Sequence, residues 1–248
     1  FAVFDANGQV VNSDADFRSS TANRNLGLGE NANLLDAGTD NTFIGHYSGQ
    51  SGSMTSGATS NSFVGAYSGA SITSGRENMG FGAYTLNKTT TGIQNVAIGY
   101  LAMYQNLTGS TNMAIGERSL YTSTTAVGNV AIGRSAMQDA TGTPTNNTMV
   151  GLQAGQSSRG EGNVGIGASA ARGATSLTTG NYNNYIGYFA GGGNGNDNVA
   201  IGFASMFTVG NSTGNVVIGR ESMRYGGGNY NTFVGWNSGN NTSAIATF

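Results

Sequence analysis

There is no cysteine in this sequence, so neither a disulfide framework nor thiolate chemistry is open to it. Proline occurs once, at Pro144, and the many glycines follow no Gly-X-Y period, which excludes a collagen triple helix. Charged residues are only 9% of the chain, where soluble domains average about 25%. The net charge is −2 and the few basic residues form no patch, so nucleic acid is not an expected partner. No apolar run approaches the roughly 18 residues a membrane helix needs, so no membrane insertion is expected. Histidine also occurs once, at His46, a poor basis for a metal site or a catalytic triad. Paired carboxylates would be needed for glycoside hydrolysis. Asp14 and Asp16 are the only close pair, and Glu77, Glu117, Glu161 and Glu221 read as solvated surface. The reading is a protein that is not an enzyme, with no catalytic residue, no metal and no cofactor. It begins at Phe1 without a signal-peptide pattern, as a processed chain or a piece of a longer one would.

What is present is glycine, 42 residues of it, together with 11 Phe, 11 Tyr and evenly spaced Ile and Val. Disordered chains are poor in aromatic and β-branched residues, so the regular spacing points to a repeated core. Thirteen copies of an Asn-x-x-aliphatic-Gly motif run from Asn25 to Gly239. The aliphatic and glycine pair recurs as Ile44–Gly45, Val64–Gly65, Ile98–Gly99, Ile115–Gly116, Ile132–Gly133, Val150–Gly151, Ile201–Gly202, Ile218–Gly219 and Val234–Gly235. The aligned glycines are about 17 residues apart on average, too short for a helix pair and suited to one coil of a β-solenoid.

Numbering the opening Asn as position zero gives each place a role. Asn tolerates the left-handed conformation and suits a corner. The aliphatic residue at position three is expected to point into the coil. Glycine at position four allows a bend or a close approach. Position seven is Ser, Ala or Thr in every copy, implying a tight interior gap. Positions two and eight trade volume: Phe43, Phe63 and Tyr185 accompany Gly49, Gly69 and Gly191, whereas Ala97, Ala131 and Ala200 accompany Met103, Met137 and Met206. Interiors tolerate volume-conserving exchange best, so these two positions share one space. Alternation from an inward position three places that space outside the coil, against another chain. The linkers 50–60 and 172–182 are the longest and are expected to protrude. Position six carries Tyr47, Tyr67 and Tyr84 in three consecutive copies. They are expected to form an aligned row which, with His46 beside it, would make an amphipathic surface for a ligand such as a sugar.

The Asn-x-Ala-Ile-Gly-x-x-Ser/Ala pattern at 95–102 and 129–136 resembles the head repeats of trimeric autotransporter adhesins (YadA-like heads) and the similar repeats of bacteriophage tail fibres. The opening FDANGQVVN with DADFRSSTANRN, within 4–25, is similar to the segment that precedes such repeats in phage fibres. The resemblance implies an all-β, left-handed parallel β-roll assembled as a parallel homotrimer. The expected organisation is a capping segment over 1–24, a solenoid of about thirteen coils over 25–239 and a tail over 240–248. The function it implies is a structural and receptor-binding segment of a tail fibre, located in the virion or outside the cell. Its partners would be itself, other virion tail proteins and a host surface glycan or protein. The alternatives are a bacterial surface adhesin head or self-assembling extracellular filament, and last a polysaccharide depolymerase.

Overall fold

A computed structural model describes residues 23–33, 38–172, 180–207, 210–225 and 227–240, and the backbone of 17–20. Asp14 and Asp16, most of the opening segment, 173–179 within the second long linker, and 241–248 lie outside the described residues. The chain is an all-β parallel β-solenoid of about eleven turns, with no helix among the described residues. It divides into two compact units, Phe1–Arg118 and Ser119–Phe248.

In the first unit, β1 (Phe17–Ser20) lies antiparallel to β2 (Asn25–Leu28), pairing Phe17 with Leu28 and Ser20 with Asn25. Then follow β3 (Thr42–Ile44), β4 (Ser62–Val64), β5 (Met79–Phe81), β6 (Val96–Ile98) and β7 (Met113–Ile115). Each pairs in parallel with the one before it, motif position on motif position, as in Ala97 on Ala114. The second unit repeats the arrangement with β8 (Val130–Ile132), β9 (Thr148–Val150), β10 (Val164–Ile166), β11 (Asn184–Ile186), β12 (Val199–Ile201), β13 (Val216–Ile218) and β14 (Thr232–Val234).

The expected inside and outside of the strand are reversed. Asn95 and Asn129 are fully buried, while Ile98 and Ile132 are only half-buried. Along each strand, positions zero and two face inward and positions one and three face outward. Hydrogen bonding explains why the polar residue goes inside. Asn95 donates from Nδ2 to Asn78 Oδ1 at 3.0 Å and to the Gly109 carbonyl at 2.8 Å. Its own Oδ1 accepts the backbone N–H and the Nδ2 of Asn112, both at 3.1 Å. The same ladder links Asn25, Asn41, Asn61 and Asn78 in the first unit. In the second it runs from Asn129 through Asn147, Asn163, Asn183, Asn198 and Asn215 to Asn231. Carbonyls three residues before the next motif Asn, such as those of Gly75, Gly92 and Gly195, would be buried without a donor, and the Asn amide supplies it. Aspartate could not donate, and a hydroxyl is too short to reach both partners.

The left-handed corner is also not the Asn. It is the residue before it, as in Glu77 (φ 58), Gln94 (φ 57) and Tyr182 (φ 56). Positions six and eight are left-handed too, whether the residue there is glycine or not: Tyr67 has φ 57, Gly69 φ 60 and Met103 φ 50. Single non-glycine residues in this region cost about 1 kcal/mol each. They persist because every coil hands its backbone hydrogen bonds to the next. Glycine at position four is required twice over. Gly65 has φ 136, and a Cβ there would sit 2.4 Å from the Gly82 carbonyl oxygen of the following coil.

The shared space of positions two and eight exists, but inside the coil. A Cβ on Gly69 would fall 2.3 Å from the ring of Phe63, and one on Gly155 2.6 Å from Met149 Sδ. Phe43, Phe63, Ala97, Ala131, Met103 and Met137 are all buried. This removes volume trading as an argument for a neighbouring chain. The small residue at position seven lines the same interior, from Ala32 to Ser222. Where both partners are small, at Gly165 and Ala171, the Met149 sulfur of the preceding coil fills the gap. The linker 50–60 protrudes only in part, because Met54 and Ala58 tuck inside while Gly52 and Ser53 are exposed.

Candidate functional site

Each residue at position six is held by a backbone bond to position five of the coil before it. Tyr47 N–H donates to the Glu30 carbonyl at 3.0 Å, Tyr67 to His46 at 2.9 Å and Tyr84 to Ala66 at 2.8 Å. With φ of 56, 57 and 59, the three tyrosines leave the backbone in the same direction from the same place in successive coils. The side chains therefore stack as the spacing predicts. The Tyr47 and Tyr67 ring centroids are 5.1 Å apart with an angle of 1° between planes, and Tyr67 and Tyr84 are 5.0 Å apart at 6°.

His46 joins the row. Its ring lies 4.3 Å from Tyr47 and 5.4 Å from Tyr67, perpendicular to both. With the 5.1 Å between the two tyrosines, these distances form a nearly equilateral triangle, so His46 sits alongside the pair rather than on a ring face. Glu30 Oε2 is 3.7 Å from His46 Nε2. At the other end Tyr100 stands edge-on to Tyr84, 6.2 Å away, and Tyr104 lies 6.4 Å from Tyr84 with the Lys88 ammonium over its own ring. All four residues expected at the site come together, and Tyr100 joins them.

A second aromatic surface, in the other unit, escaped the sequence reading. Tyr188 and Phe203 stack at 5.5 Å, Phe189 and Phe207 meet at 5.1 Å, and the Arg220 guanidinium lies 5.2 Å over Phe203. The signal was present: position five holds Tyr188, Phe203, Arg220 and Trp236 in four consecutive copies.

Several of the described carboxylates pair across coils or within them. Glu77 accepts from Gln94 Nε2 at 2.7 Å, and Glu221 lies 3.7 Å from Arg220 and 3.5 Å from Arg224. Arg24 forks onto Asp40, with 2.5 and 2.6 Å contacts. That hydrogen bonding holds the Asp40 carboxyl below its ordinary range, but both groups are open to water and the pair adds little stability. No group of three His, Cys, Asp or Glu residues suited to a metal ion occurs among the described residues. Compared with known proteins, the chain matches no family model, no curated protein and no solved structure.

Proposed function

We propose that this chain is a structural and receptor-binding segment of a bacteriophage tail fibre. It works as a parallel homotrimer of left-handed β-rolls, with thirteen coils in each chain. The observation that carries the reading is the outward face of the strands. Position three puts an apolar side chain outside in coil after coil, and position one adds Val, Met or Leu in most copies. In the first unit Met79, Phe81 and Met113 are exposed, Phe81 by 58%. In the second, Ile166, Ile186, Ile201 and Ile218 form an exposed file. Monomeric proteins seldom leave contiguous apolar patches above a few hundred Å2 uncovered. A file that repeats with the coil is best matched by an identical file, so copies of this chain in parallel are its natural cover.

The trimer would be a rigid, non-enzymatic element outside the cell, joined to other virion tail proteins. The tyrosine row lies at position six, beyond the position-four glycine from the strand, and would remain open to a host glycan or protein. Native mass measurement tests the assembly: three chains of 25.2 kDa are expected, and a stable monomer would refute the trimer. Binding of the purified protein to intact host bacteria, competed by their extracted surface glycan, tests adhesion. A protein that binds no bacterium among those its parent particle infects is not a receptor-binding segment.

A further inference from the structure

We infer that the tyrosine row binds a neutral linear glycan laid along the stacking direction of the coils, one sugar per coil. The inference rests on the receptor-binding reading above and names the ligand of that site. The argument begins with what the row withholds. Both faces of Tyr67 are covered, one by Tyr47 and the other by Tyr84, at 5.1 and 5.0 Å. A single sugar cannot stack on those faces. What the row offers is edges and phenolic hydroxyls, and each is repeated once per coil by the backbone bonds that set the coil spacing.

A surface that repeats in this way fits a ligand that repeats in the same way. An equatorially linked pyranose chain is extended and advances by about one sugar ring per residue, close to the 5.0 and 5.1 Å between the tyrosines. Each sugar then meets the same phenol edge and exchanges a hydrogen bond with a hydroxyl that both donates and accepts. The space for the chain comes from position five. Ala66 and Ala83 occupy it in the two copies between His46 and Tyr100. The column beside the row thus drops to methyl groups, with a larger ring at each end. His46 is perpendicular to the tyrosine planes, and Tyr100 nearly so, at 84° to Tyr84. The run from Tyr47 to Tyr84 spans three coils, which sets the length of ligand it serves. The trough is lined by Tyr67, Tyr84, Ala66 and Ala83, with no basic side chain among them, which matches a neutral polymer rather than an acidic one.

The experiment is titration of the full chain with β-1,4-linked glucose and N-acetylglucosamine oligosaccharides of one to six units, followed by calorimetry and by the tyrosine ring signals in NMR. Affinity is expected to rise with each added sugar up to three or four and then to level. Tyr67→Phe keeps the stack and removes one hydroxyl, and should weaken trisaccharide binding about tenfold at unchanged melting temperature. Ala83→Trp should fill the trough and abolish binding. An affinity that is the same for one sugar as for three in both series overturns the inference, as does full binding by Ala83→Trp. Cell binding by the same proteins separates this failure from that of the wider reading. Wild type that adheres to host cells while showing no length dependence leaves the fibre segment standing without this ligand. Wild type that neither adheres nor binds sugar removes both.

Discussion

At the scale of single residues, the Asn ladder concentrates the most stability in the fewest atoms. Asn95 satisfies Asn78, Gly109 and Asn112 at once, with no exposure to water. Asn95→Ala takes the Oδ1 acceptor from the Asn112 backbone N–H and Nδ2, while Asn78 Oδ1 keeps the residue-95 backbone N–H and the Gly109 carbonyl keeps Asn106 Nδ2. A buried group left unmet costs about 1–3 kcal/mol. A loss of about 1–3 kcal/mol is expected in denaturant unfolding. Asn95→Asp keeps the shape but turns the donating end into an acceptor facing two oxygens. Its carboxyl would be protonated more readily folded than unfolded. A folded pKa raised in this way leaves the stability present below the unfolded value of about 3.9 and lost as pH rises past it. The melting temperature of Asn95→Asp relative to wild type should therefore climb as pH is lowered towards about 4; a pH-independent difference would refute the donor role. Tyr185 presents the opposite case. Burial pushes its phenol well above the ordinary range, and its hydroxyl makes no well-formed hydrogen bond. The adjacent Asn198 is saturated: its Nδ2 serves Asn183 and Ser212, and its Oδ1 serves Asn215. Removing an unmet buried hydroxyl is neutral or favourable. Tyr185→Phe should melt at the same temperature as wild type or higher, and a loss above about 1 kcal/mol would show that the hydroxyl is used.

At the scale of the coil, volume is conserved between positions two and eight because both side chains point into one close-packed space. Ala131→Phe alone overfills it, because Met137 is already there with no exposure, and should cost about 3 kcal/mol. Met137→Gly alone opens a cavity, at about 2–5 kcal/mol. Together they recreate the pairing of Phe63 with Gly69, so the double variant should recover most of the loss. A double-mutant cycle should return a coupling of at least about 2 kcal/mol, and additive losses would mean that the two side chains do not share a space. The pairing itself was legible from sequence, as were the coil period, the small position seven and the tyrosine row, because each is a regularity of residue type at fixed spacing. Which face is interior was not. Ile98 on a strand is apolar whether it meets a core or the outside of a coil, so its identity does not distinguish the two. The corner was misplaced for a related reason. Asn95 is constant in type, which drew the left-handed conformation to it in the reading. The true corner holds Glu77, Gln94 and Tyr182 in different copies and shows no pattern. The surface of Tyr188 and Phe203 was missed because position five mixes aromatic, charged and small residues along the chain.

At the scale of the whole molecule, two apolar surfaces do different work, and variants tell them apart. The inward surface, with Ala97, Ala200 and Val217 fully buried, holds each coil closed. The outward one, with Ile98 half-buried and Ile201 36% exposed, is the face proposed for assembly. Repeat proteins gain stability from contacts between neighbouring repeats; Ile98 shares in these through its register with Phe81 and Ile115, but it does not fill the closed interior of the coil. A charge at Ile98 or Ile201 would remain at the surface of an isolated chain, but at the centre of a covered face it would be buried without a partner, at a cost of several kcal/mol. Ile98→Asp and Ile201→Asp should therefore keep the β-rich circular dichroism spectrum while the native mass falls to that of one chain, 25.2 kDa. Ala131→Phe should lower the melting temperature of the coil itself. If the aspartate variants instead unfold the coils, or leave a three-chain mass intact, the strand face is not where the copies meet, and assembly would have to use another surface, such as the exposed Tyr188 and Phe203 cluster.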